Sequence, residues 1–341
     1  GGFYVRKDHA DNYGLDVTNI NSYAETEAFL AAVKAGEGIA PIAANTDNPC
    51  GQLWSGPTGS DLVLGGPANA YTIMVDASGT VRSIAFDDAV FGNSVRLAHN
   101  WYLAGYYDTE IIPNEEEKAL IRAGQKSIVY NVTTKPGAAL EQKNDWGFDM
   151  YSHTIVPPTL TTGGVRATMT AIGANTISAE ASMGYINEIH TNVELYNLLA
   201  KGIEGRHWVW DDQALKVIKF PDGVTAETSG YNPNSDWEFG DQFIAYYISP
   251  DQVGAWEETM RINSEAPVSA ILGFSFNPEP VRTEIAQVQA VAGEVEVPLQ
   301  RGMLDPETAL PEFQANLRAA GIDTIVAEMQ RQIDAWKQSG S

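Results

Sequence analysis

The chain has 341 residues, of which 21 are Lys or Arg and 44 are Asp or Glu, so its formal net charge is −23. This length is typical of about two domains, and a hydrophobic fraction of 44% is sufficient for a sizeable core, which excludes a disordered chain. The negative charge argues against nucleic acid or a membrane surface as a partner, because both are bound through Lys and Arg, and it favours a neutral or cationic ligand.

The first half of the chain predicts short strands alternating with helices. We expect a strand at 3–5, a helix that begins at the capping box of Ser22 and Glu25 and ends at Gly36, and a buried strand at 39–43. Residues 45–66 are rich in Gly, Pro, Asn and Ser and therefore predict a long loop.

Further elements are predicted up to residue 172. The turn Ala77-Ser78-Gly79 lies between two apolar runs and indicates a β-hairpin, and Asp87 is the expected N-cap of the following helix. The remaining patterns predict a helix at 115–123 and strands at 127–132 and 165–172.

The second half of the chain predicts mainly helices. Ser178 is the expected start of one helix, which would turn Met183, Ile186 and Ile189 inward, and a capping box from Thr191 to Glu194 starts another. Residues 204–250 are predicted as strands and loops with many aromatic residues. Three C-terminal helices are expected to start at Pro280, Pro311 and Asp323. This alternation of helices and strands predicts an α/β fold.

Signatures of enzymes and cofactors are missing from the sequence. It contains no phosphate-binding loop, no dinucleotide-binding glycine motif and no Gly-x-Ser-x-Gly motif. A single cysteine, Cys50, excludes a disulfide framework, and His190 and Glu194 are more simply surface residues than metal ligands. The sequence contains no run of about 20 apolar residues, so it predicts no membrane span. We therefore expect no catalytic residue, no metal and no cofactor.

Aromatic and amide side chains in loops are the sequence feature that indicates a binding function. Aromatic rings can stack on the apolar face of a sugar, while amides and carboxylates hydrogen-bond its hydroxyl groups. Strand ends in an open α/β sheet are further places where ligands bind. The candidate ligand-binding residues on these grounds are Asn45, Asp47, Trp54, Asn131, Lys135, Glu204, Arg206, Tyr231, Trp237 and Phe276. For each aromatic residue, packing in the core is the competing interpretation, and for Arg206 it is an internal ion pair with Glu204.

Several motifs along the chain resemble a known bacterial family. They include Tyr4-Val5-Arg6-Lys7-Asp8, Gly202-Ile203-Glu204-Gly205-Arg206-His207, Ser229-Gly230-Tyr231-Asn232-Pro233, Leu272-Gly273-Phe274-Ser275-Phe276 and Leu310-Pro311-Glu312-Phe313. This set resembles the extracellular solute-binding proteins of ABC importers, in the lipoprotein branch with the C-terminal domain of unknown function 3502. The resemblance extends over nearly the whole chain, and the set of motifs is specific although no single motif is.

The resemblance implies a two-lobe, periplasmic-binding-protein-like (Venus flytrap) α/β fold that closes on a solute between its lobes. It also implies an extracytoplasmic monomer, lipid-anchored or periplasmic, that delivers a small polar solute, a sugar or an oligosaccharide, to a membrane ABC permease. Residues 1–165 would form the inserted second lobe. Residues 166–341 would return to the first lobe and include the C-terminal domain at about 205–341.

One departure from the family is expected to matter. Family members have a segment before the Tyr4-Val5-Arg6-Lys7 motif that holds the first strands of the N-terminal lobe, and this sequence lacks it together with a signal peptide and a lipid-attachment cysteine. We therefore predict an incomplete first lobe, with unpaired sheet edges and exposed apolar surface.

Two other functions remain open at this point. An extracellular glycan-active enzyme would also have a Trp-lined cleft, and it would need two carboxylates about 5–10 Å apart across that cleft. A sensory binding protein that takes no part in transport would use the same fold.

Overall fold

A computed structural model describes residues 1–43, 59–65, 69–108, 110 and 112–339, with the side chains of Asn114, Asn131 and Val132 excepted. The chain forms two units. The first comprises Gly1–Thr134, Asp149–Val165 and Glu265–Ser341, and the second comprises Lys135–Phe148 and Arg166–Ser264. The chain crosses between the units after Thr134, Phe148, Val165 and Ser264. Within the described residues, buried side chains between 271 and 333 share one apolar core with buried side chains between 70 and 95.

Within the described residues, the strands are β1 (Gly2–Arg6), β2 (Asp61–Leu64), β3 (Ile73–Val75), β4 (Val81–Ser83), β5 (Ile128–Val132), β6 (Met150–Thr154), β7 (Val209–Asp212) and β8 (Val217–Lys219). The α-helices are α1 (Lys7–Tyr13), α2 (Glu27–Glu37), α3 (Asn93–Ala104), α4 (Asn114–Arg122), α5 (Ala138–Trp146), α6 (Thr162–Val165), α7 (Ala179–Thr191), α8 (Val193–Ala200), α9 (Ala255–Glu265), α10 (Arg282–Gln300), α11 (Pro306–Ala319) and α12 (Ile322–Gln338).

The first unit contains two antiparallel sheets. Strand β1 lies between β5 and β6, with Phe3 opposite Tyr130 on one side and His153 on the other. Phe3 and Val5 are fully buried and pack with helices α2 and α3. The second sheet has the order β2-β3-β4, and its hairpin packs against α10, α11 and α12 in a separate apolar core. Helices therefore cover both small sheets.

The second unit is mainly helix and loop. Its one described sheet is the antiparallel pair β7-β8. Tyr196 and Ala200 on α8, Val217 on β8 and Trp256 on α9 form its apolar core. This core fixes α8 against the strand pair, and the candidate site is built on that arrangement.

Several local predictions are confirmed. Residues 3–5 lie in β1, and the predicted turn at Ala77-Ser78-Gly79 connects β3 to β4. Asp87 accepts a hydrogen bond from Val90 N, and Ser178 accepts one from Ala181 N at the start of α7. These features depend on residues close together in sequence.

Other boundaries were predicted wrongly. Helix α2 ends at Glu37, and its C-cap is Gly38, whose φ of 70° is left-handed, and not Gly36. The N-cap of α8 is Asn192, which accepts from the backbone N–H groups of Glu194 and Leu195, and not Thr191. Pro311 lies inside α11, which starts at Pro306.

Two predicted segments have a different structure. Residues 61–64, predicted as loop, form strand β2. Residues 166–172, predicted as strand, pair with no strand in the described chain, and Met169 there is 72% exposed. A strand requires a neighbour for its backbone hydrogen bonds, so alternation of apolar residues is not sufficient. Met183 on α7 is likewise exposed, and of Met183, Ile186 and Ile189, which were expected to face inward, only Ile189 is buried.

No described helix is long and apolar enough to cross a bilayer.

Candidate functional site

Among the described residues of the second unit, two neighbouring pockets share Trp208. The Tyr231 pocket has a volume of about 130 Å³ and is lined by Asn144, Ala200, Lys201, His207, Trp208, Ile218, Lys219, Phe220, Tyr231, Asn232, Asn234 and Ile248. The Trp210 pocket has a volume of about 470 Å³ and is lined by Glu194, Asn197, Leu198, Gly202, Glu204, Trp208, Trp210, Gln213 and Tyr246. The Tyr231 pocket combines aromatic rings with three amide side chains.

The turn after α8 positions the aromatic side chains of the Tyr231 pocket. Gly202 has a φ of 84°, and a Cβ atom there would overlap the His207 ring, so only glycine fits. The Nδ1 atom of His207 accepts a hydrogen bond from Ile203 N at 2.9 Å, and Trp208 Nε1 donates to Gly202 O at 3.0 Å. The turn is therefore fixed by its own side chains, and His207 and Trp208 are held in place.

Tyr231 presents a partly open ring to this pocket. Its ring centroid lies 5.6 Å from that of His207, with the two planes inclined at 36°, and its hydroxyl donates to Leu199 O. The residue is 37% exposed, so part of the ring remains accessible. A ring whose edge is anchored and whose face is accessible is suited to stacking against a ligand.

A buried ion pair supports the other side of the pocket. Lys201 Nζ lies 2.6 Å and 2.8 Å from the two carboxylate oxygens of Asp236. Tyr196 donates from its hydroxyl to Asp236 O at 2.6 Å. Burial, together with Asp236 and Asp241, raises the pKa of Tyr196 well above its usual range, so this hydroxyl stays protonated and remains a donor.

Lys135 has a structural partner. Its Nζ lies 3.0 Å from Glu141 Oε1 and 5.0 Å from the centre of the Trp256 ring, so it makes an ion pair and a cation–π contact. Burial raises the pKa of Glu141, and Lys135 opposes this rise. Lys135 therefore has a role within the unit, whatever contact it makes with a ligand.

The structure places the predicted site residues in several different surroundings. Asn45, Asp47 and Trp54 lie outside the described residues, and Asn131 lies in β5 with its side chain undescribed. Phe276 is in the first unit, half-buried against the core of α10–α12. In the second unit, Tyr231 lines one pocket, Glu204 lines the other, Trp237 is 50% exposed, and Arg206 is exposed. Among the described residues, Arg206 and Glu204 form no ion pair.

Sequence reasoning did not select Asn144 and Asn234 as site residues. Asn234 Nδ2 donates to Asp145 Oδ1 at 3.0 Å, which connects its loop to α5. Asn144 is 90 positions from Asn234 in the chain, so no local pattern indicates that both line one pocket. Asn234 has a left-handed φ of 51°, which is typical of asparagine in a turn.

The chemistry of the Tyr231 pocket suits a neutral polar ligand. Amide groups both donate and accept hydrogen bonds, which matches vicinal hydroxyl groups, and the accessible ring matches an apolar face. Among the described residues, no group of three His, Cys, Asp or Glu side chains is placed to hold a metal ion.

Comparison with known proteins supports the solute-binding-protein fold that the sequence motifs imply. The domain of unknown function DUF3502 matches residues 270–338, inside the predicted 205–341 but starting later. A curated relative from Streptococcus pneumoniae, named carbohydrate ABC transporter substrate-binding protein, is 25% identical over 339 residues, which is 95% of this chain and 64% of the relative. The chain thus spans less than two thirds of that relative's length.

Solved structures share the fold. The N-glycan transport solute binding protein NgtS from Streptococcus pneumoniae matches with a TM-score of 0.82 and 21% identity, covering 100% of this chain and 73% of that one. The same protein in complex with Man5GlcNAc matches with a TM-score of 0.78, again at 21% identity and with the same coverage. The chain therefore has the fold of these solute-binding proteins, and residues 270–338 match the DUF3502 domain.

Proposed function

We propose that the chain is the binding part of an extracytoplasmic solute-binding protein that captures a sugar or an oligosaccharide for an ABC importer. The observation that carries this proposal is the Tyr231 pocket, where a partly exposed aromatic ring lies among Asn144, Asn232 and Asn234. This combination satisfies both faces of a carbohydrate, the apolar C–H face and the hydroxyl edge.

The named relatives favour a carbohydrate over other polar solutes. The curated relative is named for carbohydrate transport, and NgtS is described in complex with Man1GlcNAc and with Man5GlcNAc. Two further structures of similar fold are an alginate-binding protein and a substrate binding protein in complex with kestose, at TM-scores of 0.56 and 0.57. These relatives differ in ligand, so the class of oligosaccharide is a question for experiment.

Partner and location follow from the same proposal. A solute-binding protein delivers its cargo to a permease in the membrane, so we propose an ABC permease as the protein partner and a monomer as the functional form. The site of action would be outside the cytoplasm, at the cell surface through a lipid anchor or in the periplasm. The charge of −23 is compatible with a soluble surface that avoids nucleic acid.

A thermal-shift screen tests the proposal. The protein is heated with manno-oligosaccharides, fructo-oligosaccharides, alginate oligosaccharides, amino acids and short peptides in turn. A ligand at 100 times its dissociation constant stabilises by about 2.7 kcal/mol. We expect a shift with one class of oligosaccharide, and its loss in Tyr231→Ala. A shift with peptides alone, or with no compound, would overturn the carbohydrate proposal.

The same samples separate binding from catalysis. The protein is incubated with the oligosaccharide that shifts its melting temperature, and the products are separated by chromatography. A binding protein returns the oligosaccharide intact, whereas a glycan-active enzyme releases shorter sugars.

A further inference from the structure

The Trp210 pocket differs chemically from the Tyr231 pocket. It places the aromatic rings of Trp210 and Tyr246 beside the carboxylates of Glu194 and Glu204. None of the described residues that line it is Lys, Arg or His. The pocket therefore offers aromatic faces and negative charge, where the Tyr231 pocket offers amides.

Three rings form an aromatic corner in this pocket. The centroids of Trp210 and Tyr246 are 4.8 Å apart with planes inclined at 53°, and Trp208 lies 5.0 Å from Trp210 at 79°. Trp208 is buried, whereas Trp210 and Tyr246 are half-buried and keep part of their rings accessible. The Trp208–Trp210 contact is edge-to-face and the Trp210–Tyr246 contact is tilted, so these rings do not stack face to face on one another.

The backbone fixes the corner against α8. Asn197 is buried, and its side chain donates to Val193 O at 2.8 Å and to Ile244 O at 3.0 Å. Its Oδ1 accepts from Tyr246 N at 2.8 Å. Tyr246 is therefore held beside the helix that carries Glu194 in its first turn.

Glu204 is held beside Trp208 through its own turn. It forms a β-bridge with Trp208, and Gly205 N donates to Trp208 O at 2.7 Å. Within the described part of the chain, neither Glu194 nor Glu204 has a cationic partner at ion-pair distance. Both carboxylates contribute, after burial, to a raised pKa of the Tyr246 hydroxyl, so their negative potential reaches the aromatic wall.

We propose that the Trp210 pocket binds a small organic ammonium ion, with the cation against the rings of Trp210 and Tyr246 and its charge balanced by Glu194 and Glu204. Aromatic faces attract cations through their quadrupole, and carboxylates accept hydrogen bonds but cannot donate them. A neutral sugar hydroxyl gains less from two negative charges than an ammonium group does. The pocket is separate from the carbohydrate pocket in the residues that define its chemistry.

Isothermal titration calorimetry with choline tests this inference. The neutral comparison ligand is 3,3-dimethylbutan-1-ol, which has nearly the same shape as choline but no charge. We expect choline to bind at least tenfold more tightly than the neutral alcohol, and this difference to diminish as salt rises. Equal binding of the two compounds, or no binding of choline, would overturn the proposal.

Variants locate the site. Glu204→Gln removes one charge from an exposed side chain, and Glu194→Gln removes the other, so neither is expected to disturb the fold. The double variant should bind choline at least tenfold more weakly, whereas Tyr231→Ala should bind it as the wild type does. Choline binding unchanged in the double variant would contradict the proposal. Oligosaccharide binding measured on the same variants shows separately whether the carbohydrate proposal holds.

Discussion

Lys201 and Asp236 form a bidentate ion pair in which both side chains are nearly buried, with exposed fractions of 11% and 12%. The two residues are 35 positions apart, and their contact joins the end of α8 to the short 3₁₀ turn at Asp236–Glu238. This turn also carries Trp237 and borders the loop of Asn234. The ion pair therefore connects the helix that supports both pockets to the loop that closes one of them.

Asp236→Asn is expected to destabilise the second unit by about 3–5 kcal/mol, because it leaves the Lys201 ammonium buried without its counter-charge. The measurement is the free energy of unfolding in urea. The matched control is Glu258→Gln, which breaks an exposed pair with Arg261 in the same unit and should leave stability unchanged. Equal stability of Asp236→Asn and the control would show that the Lys201 ammonium reaches water in the variant and is not left buried without a counter-charge.

Local sequence signals predicted local structure well. The Asp87 and Ser178 caps and the hairpin at Ala77-Ser78-Gly79 depend on hydrogen bonds within three or four residues, so the pattern contains the cause. The strand expected at 165–172 failed for the opposite reason. Its apolar residues do alternate, but a strand also needs a neighbouring strand for its backbone hydrogen bonds. Whether such a neighbour exists cannot be seen in the local pattern.

The candidate site shows the same contrast between local features, which the sequence predicts, and long-range contacts, which it does not. Tyr231 and Glu204 could be selected from residue type and surroundings, and each lines a pocket. The partners that build those pockets could not be selected, because Asn144 and Tyr246 come from distant segments. Lys135 was expected at a ligand, which stays a prediction, and its ion pair with Glu141 is a contact that no spacing rule singles out.

Gly302→Ala is expected to destabilise the first unit by more than about 3 kcal/mol. Gly302 has a φ of 69°, and a Cβ atom there would overlap the backbone of Ala98 and His99 on α3. His99 Nδ1 also lies 2.7 Å from Gly302 O, so the turn that follows α10 is fixed against α3. The substitution would push the DUF3502 helices away from α3.

Gly273→Ala is the control for this prediction. It has a φ of 94° but no atom near the added Cβ, so only backbone strain of about 1–3 kcal/mol is expected. Thermal or urea unfolding of both variants checks the difference. If both lost the same stability, strain alone would account for Gly302 and the close approach to α3 would contribute nothing.

Glu296 is expected to make stability depend on pH. Its carboxylate accepts a hydrogen bond from Ala70 N, and burial raises its pKa above the ordinary glutamate value of 4.5. The folded protein therefore holds this proton more tightly than the unfolded chain. The resulting stabilisation is complete below the ordinary value and is lost as the pH rises through the raised pKa.

Glu296→Gln checks this expectation, because glutamine keeps the acceptor for Ala70 N but carries no charge. The variant should be more stable than the wild type at about pH 7, and this advantage should shrink towards about pH 4. Urea unfolding across that range measures both proteins. An advantage that did not change with pH would assign the effect to packing and not to the proton.

Trp237→Ala is expected to weaken oligosaccharide binding by about 1–3 kcal/mol, as the loss of one stacking contact would. Trp237 is 50% exposed on the turn that Asp236 anchors to Lys201, so its ring contributes little to the core and is available to a ligand. Calorimetry with the oligosaccharide identified by thermal shift measures the affinity.

Stability of the Trp237 variant should stay close to that of the wild type, since an exposed ring loses little on truncation. The comparison is Trp256→Ala, whose ring is 3% exposed in the core of the second unit and whose loss should cost about 3–5 kcal/mol of stability. An unchanged affinity in a folded Trp237→Ala protein would show that the Trp237 ring, which lines neither pocket, makes no contact with the oligosaccharide. Carbohydrate recognition would then depend on Tyr231 and the amides around it.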